Sequence, residues 1–219
     1  MMPSGETAAA LIPAAEIYIK ELFAGDAGGH DADHTLRVYR TAVFLAEKEG
    51  ADPGIAGLAA LLHDADDRKL FPDTHAQKAN AVSFLRANGA PEELIRRVVT
   101  IVSEVSFAGT DSVVPSSPEG RCVQDADRLD AIGAVGIARA FAYGGSRGRR
   151  MYDPSEPPEP GLTAEAYRAR QGCTVNHFYE KLFLLKDMMN TDTAKALAAD
   201  RDRFMHAFLE RFLAEWEGT

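Results

Sequence analysis

The sequence has only two cysteines, Cys122 and Cys173, among its 219 residues. They are far apart and form no CxxC pair, so the chain has no disulfide framework, and this usage favours a reducing compartment. The chain also has no apolar run long enough to cross a bilayer, and no basic region at its start. We therefore expect a cytoplasmic protein with no signal peptide and no membrane partner.

Positive charge is also scarce. Lys and Arg number 24 against 33 Asp and Glu, which gives a net charge of −9. Binding to nucleic acid in general requires a basic surface that neutralises phosphates, so we expect no nucleic-acid partner. A small anionic ligand is still compatible with this charge, because a metal ion and a few basic groups can converge locally.

No segment has the alternating pattern of a β-strand, and the chain has no internal repeat. Apolar residues instead recur at helical spacing, and a hydrophobic share of 46% fits one soluble globular domain. We predict an all-α fold and a single domain over residues 1–219, with its core over about 26–142 and C-terminal helices over 163–217. The predicted helices cover residues 13–23, 31–48, 53–64, 74–88, 91–106, 121–143, 163–190 and 191–216.

One predicted helix stands out because it is apolar on every face. No charged residue occurs from Pro53 to Leu62, and the segment ends in His63-Asp64. Such a pattern indicates an interior helix. An ionised aspartate is rarely buried unless it is paired or binds a metal, so Asp64 requires a cation, and His63 is suited to bind the same ion. Taken alone, the pair also fits a helix end that reaches solvent.

Two other residues complete a pattern. His34 extends the buried stripe of the helix predicted over 31–48, and Asp127 lies in the segment VQDADRLD at 123–130. The order His … His-Asp … Asp on three apolar helices resembles that of the HD-domain metal-dependent phosphohydrolases. The chain is similar to their small, stand-alone bacterial members of the YedJ/YpgQ type. Nearly the whole chain takes part, including the blocks LLHD at 61–64, VQDADRLDAIG at 123–133, AYGG at 142–145 and NHFYEKL at 176–182.

The resemblance implies a helical HD-domain bundle with a metal site between its central helices, held by His34, His63, Asp64 and Asp127. Two imidazoles and two carboxylates suit Mn²⁺, Mg²⁺, Fe²⁺, Ni²⁺ or Co²⁺, and Zn²⁺ is not excluded. The resemblance favours one Mn²⁺. Two-metal members place two further histidines between the His-Asp pair and the last aspartate, where this chain has only His75.

Hydrolysis also requires an acid or base and fixed positive charge. We assign the acid/base role to Asp67, although solvated loop charge is the alternative for both Asp66 and Asp67. Arg37 and Lys69 are predicted to assist catalysis. The residues predicted to bind the substrate are Arg128, Lys78, Arg147 and Lys181.

The resemblance implies pyrophosphohydrolysis of a small-molecule nucleotide, a (deoxy)nucleoside triphosphate. Alternatives are a 5′-nucleotidase-type phosphomonoesterase and a non-catalytic module that binds metal and nucleotide. A di-iron oxygenase would need a second metal, against which the histidine count argues. Arg68 and Ala32 stand where the family often has an aromatic residue, which puts nucleobase contacts in doubt. A homodimer is left open, as is a lid role for the irregular segment 144–161.

Overall fold

The computed structural model describes residues 4–24, 31–68, 70–105, 113–159 and 172–219. None of these residues lies in a strand, and the predicted all-α class is confirmed. None of the described helices is long and apolar enough to span a membrane. The α-helices are α1 (Ser4–Leu22), α2 (Ala32–Glu49), α3 (Pro53–Leu62), α4 (Pro72–His75), α5 (Ala79–Ala87), α6 (Glu92–Val105), α7 (Pro118–Asp130), α8 (Gly133–Ser146), α9 (Thr174–Glu180) and α10 (Asp192–Trp216), with a 3₁₀ helix at Leu182–Met188.

The described residues divide into two compact units. The first unit contains those up to residue 105 and residues 113–127. The second unit contains residues 128–159 and 172–219. The prediction of one domain over the whole chain stays a prediction.

The first unit is built around α3, which contacts α1, α2 and α6. Every residue of α3 from Gly54 to Leu62 is buried, which confirms the predicted interior helix. Its start is well defined, since the Asp52 carboxylate accepts hydrogen bonds from the backbone N–H groups of Gly54 and Ile55 at 2.9 and 3.1 Å. Pro53 occupies the first helical position, where its missing N–H costs nothing.

Close contact between α1 and α3 depends on Gly54. A Cβ atom at this position would lie 2.4 Å from the carbonyl oxygen of Gly5, which is backbone and cannot move aside. Gly54→Ala is therefore expected to lower the free energy of unfolding by about 1–3 kcal/mol, measured by denaturant unfolding. Gly145→Ala is the control, because a Cβ atom there meets nothing within 4 Å. Equal unfolding midpoints for the two variants would contradict this packing.

Two of the predicted helices are interrupted at residues with positive φ. The helix predicted over 74–88 is divided into α4 and α5, and Lys78 between them has a φ of 50°. The helix predicted over 121–143 ends at Asp130, and α8 begins at Gly133 with a φ of 77°. Glycine adopts this left-handed conformation without the clash that a Cβ atom causes. α1 also begins at Ser4 rather than at Pro13, which lies inside it.

In the second unit, α8 contacts α9 and α10 through aromatic rings. The ring centroids of Phe141, Phe178, Phe208 and Phe212 lie 5.5–6.4 Å from one another in five pairs. The helix predicted over 163–190 is not continuous, because α9 ends at Glu180 and the 3₁₀ helix at Leu182–Met188 follows. Residues 163–171 of that prediction lie outside the described residues.

The described part of the irregular segment after α8 is fixed to the start of α9. The backbone N–H groups of Thr174 and Val175 donate to the carbonyl oxygens of Arg150 and Met151 at 2.9 and 3.0 Å. The Asn176 amide donates to the carbonyl oxygen of Glu156 at 2.9 Å. These bonds favour a fixed surface segment over a moving lid.

Candidate metal centre

His34 lies in the first turn of α2 and is only 2% exposed. The Asp31 carboxylate caps this helix by accepting a hydrogen bond of 2.7 Å from the His34 backbone N–H. The imidazole Nε2 atom of His34 lies 3.6 Å from Asp64 Oδ2 and 3.5 Å from Asp127 Oδ1. Asp31 thus fixes the backbone that directs His34 toward two carboxylates.

His63 immediately follows α3, and its Nδ1 atom lies 2.7 Å from the carbonyl oxygen of Ala60. Because a carbonyl oxygen only accepts hydrogen bonds, Nδ1 carries the proton, and Nε2 of the neutral ring keeps its lone pair. This Nε2 atom is buried, and no described residue makes a hydrogen bond of good geometry with it. A carbonyl-bonded Nδ1 with an unsatisfied Nε2 is the arrangement of a histidine that ligates a metal.

The side chains of the four predicted ligands lie together. Asp64 Oδ2 is 3.3 Å from the Nε2 atom of His63, and Asp127 Oδ1 is 4.0 Å from the same nitrogen. One ligand atom from each of His34, His63 and Asp127 lies within 4.8 Å of the others. These three donors, with Asp64 Oδ2 beside both imidazole nitrogens, fit a divalent metal ion.

The charges of the cluster also favour a cation. Burial by itself lowers the pKa of His63, but the neighbouring carboxylates of Asp64 and Asp127 outweigh this effect and raise the pKa to about 9. Two carboxylates and two imidazoles so close together require compensating positive charge. A proton on His63 supplies one unit, and a divalent ion bound to the neutral ring supplies two.

Asp66 anchors the turn that carries Asp64. It is fully buried, and its carboxylate accepts hydrogen bonds of 3.0 Å from the backbone N–H groups of Asn80 and Ala81 at the start of α5. The alternative of a solvated loop charge is therefore wrong for Asp66. Sequence reasoning missed both Asn80 and Asp31 as supports of the site. Asp31, three residues before His34, has the spacing of a helix cap and was accessible from the sequence.

The residues predicted to act in catalysis have different positions. Asp67 is half-buried in the same turn as Asp64, and its backbone N–H donates to the Asp64 carbonyl oxygen at 3.0 Å. Arg37 is half-buried on α2, one turn after His34. Lys69 lies outside the described residues. Catalytic roles for these three residues stay predictions.

The residues predicted to bind the substrate are divided between the two units. Lys78 is buried at the start of α5 in the first unit. The other three lie in the second unit. The Arg128 guanidinium donates to the carbonyl oxygen of Met188, and Cζ of Arg147 lies 5.5 Å from the ring centroid of Tyr143. Lys181 is half-buried and directly follows α9. Their roles in substrate binding also stay predictions.

Comparison with known proteins decides the family. The sequence profile of the HD domain matches residues 31–132, a range that includes all four residues of the cluster. The uncharacterized protein YpgQ of Bacillus subtilis is 42% identical over 197 residues, which is 89% of this chain and 88% of YpgQ. The chain belongs to the HD-domain superfamily. The resemblance stated from the sequence motifs is thereby confirmed.

Solved structures of other HD-domain proteins agree with this assignment. An HD-superfamily hydrolase from Bacillus thuringiensis superimposes with a TM-score of 0.77 at 40% identity, covering 97% of this chain and 100% of that one. The structure of Bacillus subtilis YpgQ in complex with ADP superimposes with a TM-score of 0.74 at 35% identity, covering 94% and 98% of the two chains. This protein is an HD-superfamily hydrolase, as the sequence predicted.

Proposed function

We propose that this HD-domain protein is a metal-dependent phosphohydrolase that cleaves nucleoside triphosphates to a monophosphate and pyrophosphate. The observation that carries the proposal is the convergence of two buried imidazole nitrogens with two carboxylates. Metal ligation accounts for two imidazoles from different helices that face the same two carboxylates.

The ligands would be His34, His63, Asp64 and Asp127, with a single Mn²⁺ the preferred ion. A divalent ion bound there would polarise a phosphoryl oxygen and lower the pKa of a bound water. Asp67, in the same turn as Asp64, would accept a proton from the attacking water or return one to the leaving group. Arg37, one turn after His34, would offset the negative charge of the phosphates.

A nucleotide as substrate is supported by the relative YpgQ, whose structure was solved in complex with ADP. Because the net charge is −9, we expect a local group of cations, rather than a basic surface, to attract the phosphates. Because Arg68 and Ala32 stand at positions where the family often has an aromatic residue, we expect recognition of the phosphates to outweigh recognition of the base.

A substrate screen tests the proposal. The protein is loaded separately with Mn²⁺, Mg²⁺, Co²⁺, Ni²⁺, Fe²⁺ or Zn²⁺ and given nucleoside mono-, di- and triphosphates, while phosphate, pyrophosphate and oxygen uptake are measured. Pyrophosphate and monophosphate in equal amounts support the proposal. Release of phosphate from monophosphates alone would indicate a 5′-nucleotidase. Oxygen uptake would indicate an oxygenase, and nucleotide binding without turnover would indicate a binding module.

The role of Asp67 gives a separate prediction. Asp67→Asn is expected to reduce turnover by about a hundredfold to ten-thousandfold while the metal content stays at the wild-type value, because the amide cannot transfer the proton. Steady-state kinetics and metal analysis of the purified variant measure both quantities. Asp73→Asn, a change of an exposed aspartate in α4, is the control and should keep full activity. Unchanged turnover in Asp67→Asn would mean that Asp67 is a solvated charge.

A further inference from the structure

Lys78 has a backbone conformation that its side chain disfavours. With φ 50° and ψ 44°, it is the one described non-glycine residue with positive φ. A Cβ atom in this left-handed region crowds the following carbonyl oxygen, and such conformations persist only where the surrounding structure enforces them. Glycine would occupy the position without this cost. The chain has a lysine here instead, so the side chain itself requires an explanation.

Lys78 is buried, and the described residues offer its ammonium group no true acceptor. The residue is 7% exposed, and the polar contact of its Nζ atom among the described residues is with His75 Nδ1 at 3.4 Å. That nitrogen also lies 2.8 Å from the carbonyl oxygen of Asp66, which only accepts, so Nδ1 carries a proton and cannot accept from Lys78. A buried ammonium with no acceptor is unfavourable unless a ligand supplies one.

The position of Lys78 connects it to the metal centre. It precedes α5, whose first N–H groups hold the Asp66 carboxylate, and Asp66 lies in the turn between Asp64 and Asp67. The Asn80 amide closes the same connection by donating to the Ala65 carbonyl oxygen at 2.8 Å. Lys78 is therefore fixed against the segment that carries one predicted metal ligand and the predicted acid/base.

The positive charge of Lys78 does not stabilise the folded protein relative to the unfolded chain. Burial lowers the pKa of Lys78, and the attraction of Asp66, Asp67 and Asp64 offsets this effect only in part. The protonated form is thus less favourable in the folded chain than in water.

We propose that Lys78 binds the substrate directly, by donating hydrogen bonds to non-bridging oxygens of the phosphate group next to the hydrolysed bond. This inference rests on the proposed function, since it requires a phosphate at the metal centre. The ammonium group offers three donors, and phosphate oxygens are strong acceptors of a kind that Lys78 does not bond among the described residues. The left-handed backbone holds the ammonium in place before the substrate arrives.

The test compares three replacements of Lys78 in the metal-loaded protein. Lys78→Met removes the charge and keeps the stem, Lys78→Gly also relieves the backbone, and Lys78→Arg keeps the charge. We expect kcat/KM to fall by roughly tenfold to a hundredfold in the first two, as for a lost hydrogen bond to a charged group, with partial recovery in Lys78→Arg. Inhibition by inorganic pyrophosphate should weaken in parallel. Melting temperatures should equal or exceed that of the wild type, most clearly for Lys78→Gly.

Lys20→Met, a change of an exposed lysine in α1, is the control for loss of one positive charge. Wild-type kcat/KM and pyrophosphate inhibition in Lys78→Met would overturn the inference and leave the proposed function intact. Activity lost together with a lowered melting temperature in both Lys78→Met and Lys78→Gly would show a structural role and also overturn it. If the wild type hydrolyses no nucleotide with any metal, the proposed function fails. Calorimetric binding of pyrophosphate to Mn²⁺-loaded wild type and Lys78→Met then decides the inference by itself.

Discussion

Asparagine in place of Asp127 is expected to abolish metal binding and hydrolysis while the helical fold is retained. Asp127 Oδ1 lies 3.5 and 4.0 Å from the two imidazole Nε2 atoms, and the amide has the same volume but is a much weaker ligand. The side chain is 28% exposed, so little packing depends on it. Because loss of an outer-shell partner alone costs about 10–100-fold in metal affinity, loss of this ligand should cost more. Metal analysis, circular dichroism and kinetics measure the three quantities.

Asp33→Asn provides the matched control for Asp127→Asn. Asp33 is exposed and precedes His34 on α2, so its replacement removes one negative charge near the cluster without removing a ligand. Full metal-dependent activity in Asp127→Asn would place the fourth ligand elsewhere. Asp125, which is fully buried, would be tested next, followed by Asp130, whose carboxylate already pairs with Arg139 at 2.5 Å.

Removal of the metal should destabilise the wild-type protein. A bound ion would offset the repulsion between Asp64 and Asp127 and would bind the native state alone, which would add about 2.7 kcal/mol at a free concentration one hundred times Kd. For a chain of this length, that corresponds to a shift in Tm of roughly 5–10 °C. We expect a chelator to lower Tm by this amount and added Mn²⁺ to restore it, measured by differential scanning fluorimetry.

The same melting experiment on Asp127→Asn separates metal ligation from general effects of the chelator. The variant should melt at one temperature with or without chelator and Mn²⁺, because it no longer binds the ion. A wild-type protein whose melting is indifferent to both reagents would contradict the metal site, and with it the metal-dependent mechanism. A chelator effect of equal size in Asp127→Asn would assign the stabilisation to a different site.

Local sequence pattern was sufficient for several features of this protein. Uninterrupted apolar residues before His63 predicted an interior helix, because a helix without a polar face has no side to expose, and α3 is buried throughout. The candidate ligands were also named from the sequence, because the order of His34, His63-Asp64 and Asp127 resembles the HD-domain pattern. The four predicted ligand side chains do lie together, although they come from three helical segments far apart along the chain.

Other features depend on contacts that helical periodicity does not contain. The helix predicted over 74–88 is interrupted at Lys78, because Asp66 binds the N–H groups at the start of α5 and a helix continuing from α4 would already use them. The helix predicted over 121–143 is interrupted before Gly133, where the left-handed backbone begins a new helix. Both breaks follow from local conformations that apolar spacing does not report.

The sequence by itself determined the helical class, the interior helix and the set of candidate ligands, because periodicity and residue chemistry are encoded along the chain. Only the tertiary structure decided which groups are paired. Asp66 and Asp67 are adjacent and chemically identical, yet one carboxylate is buried on the start of α5 and the other lies half-buried beside Asp64. Nor does the sequence around Lys78 show that this residue is buried, with its ammonium group 3.4 Å from His75 Nδ1. Burial and pairing depend on residues brought together from distant segments, and no local pattern specifies them.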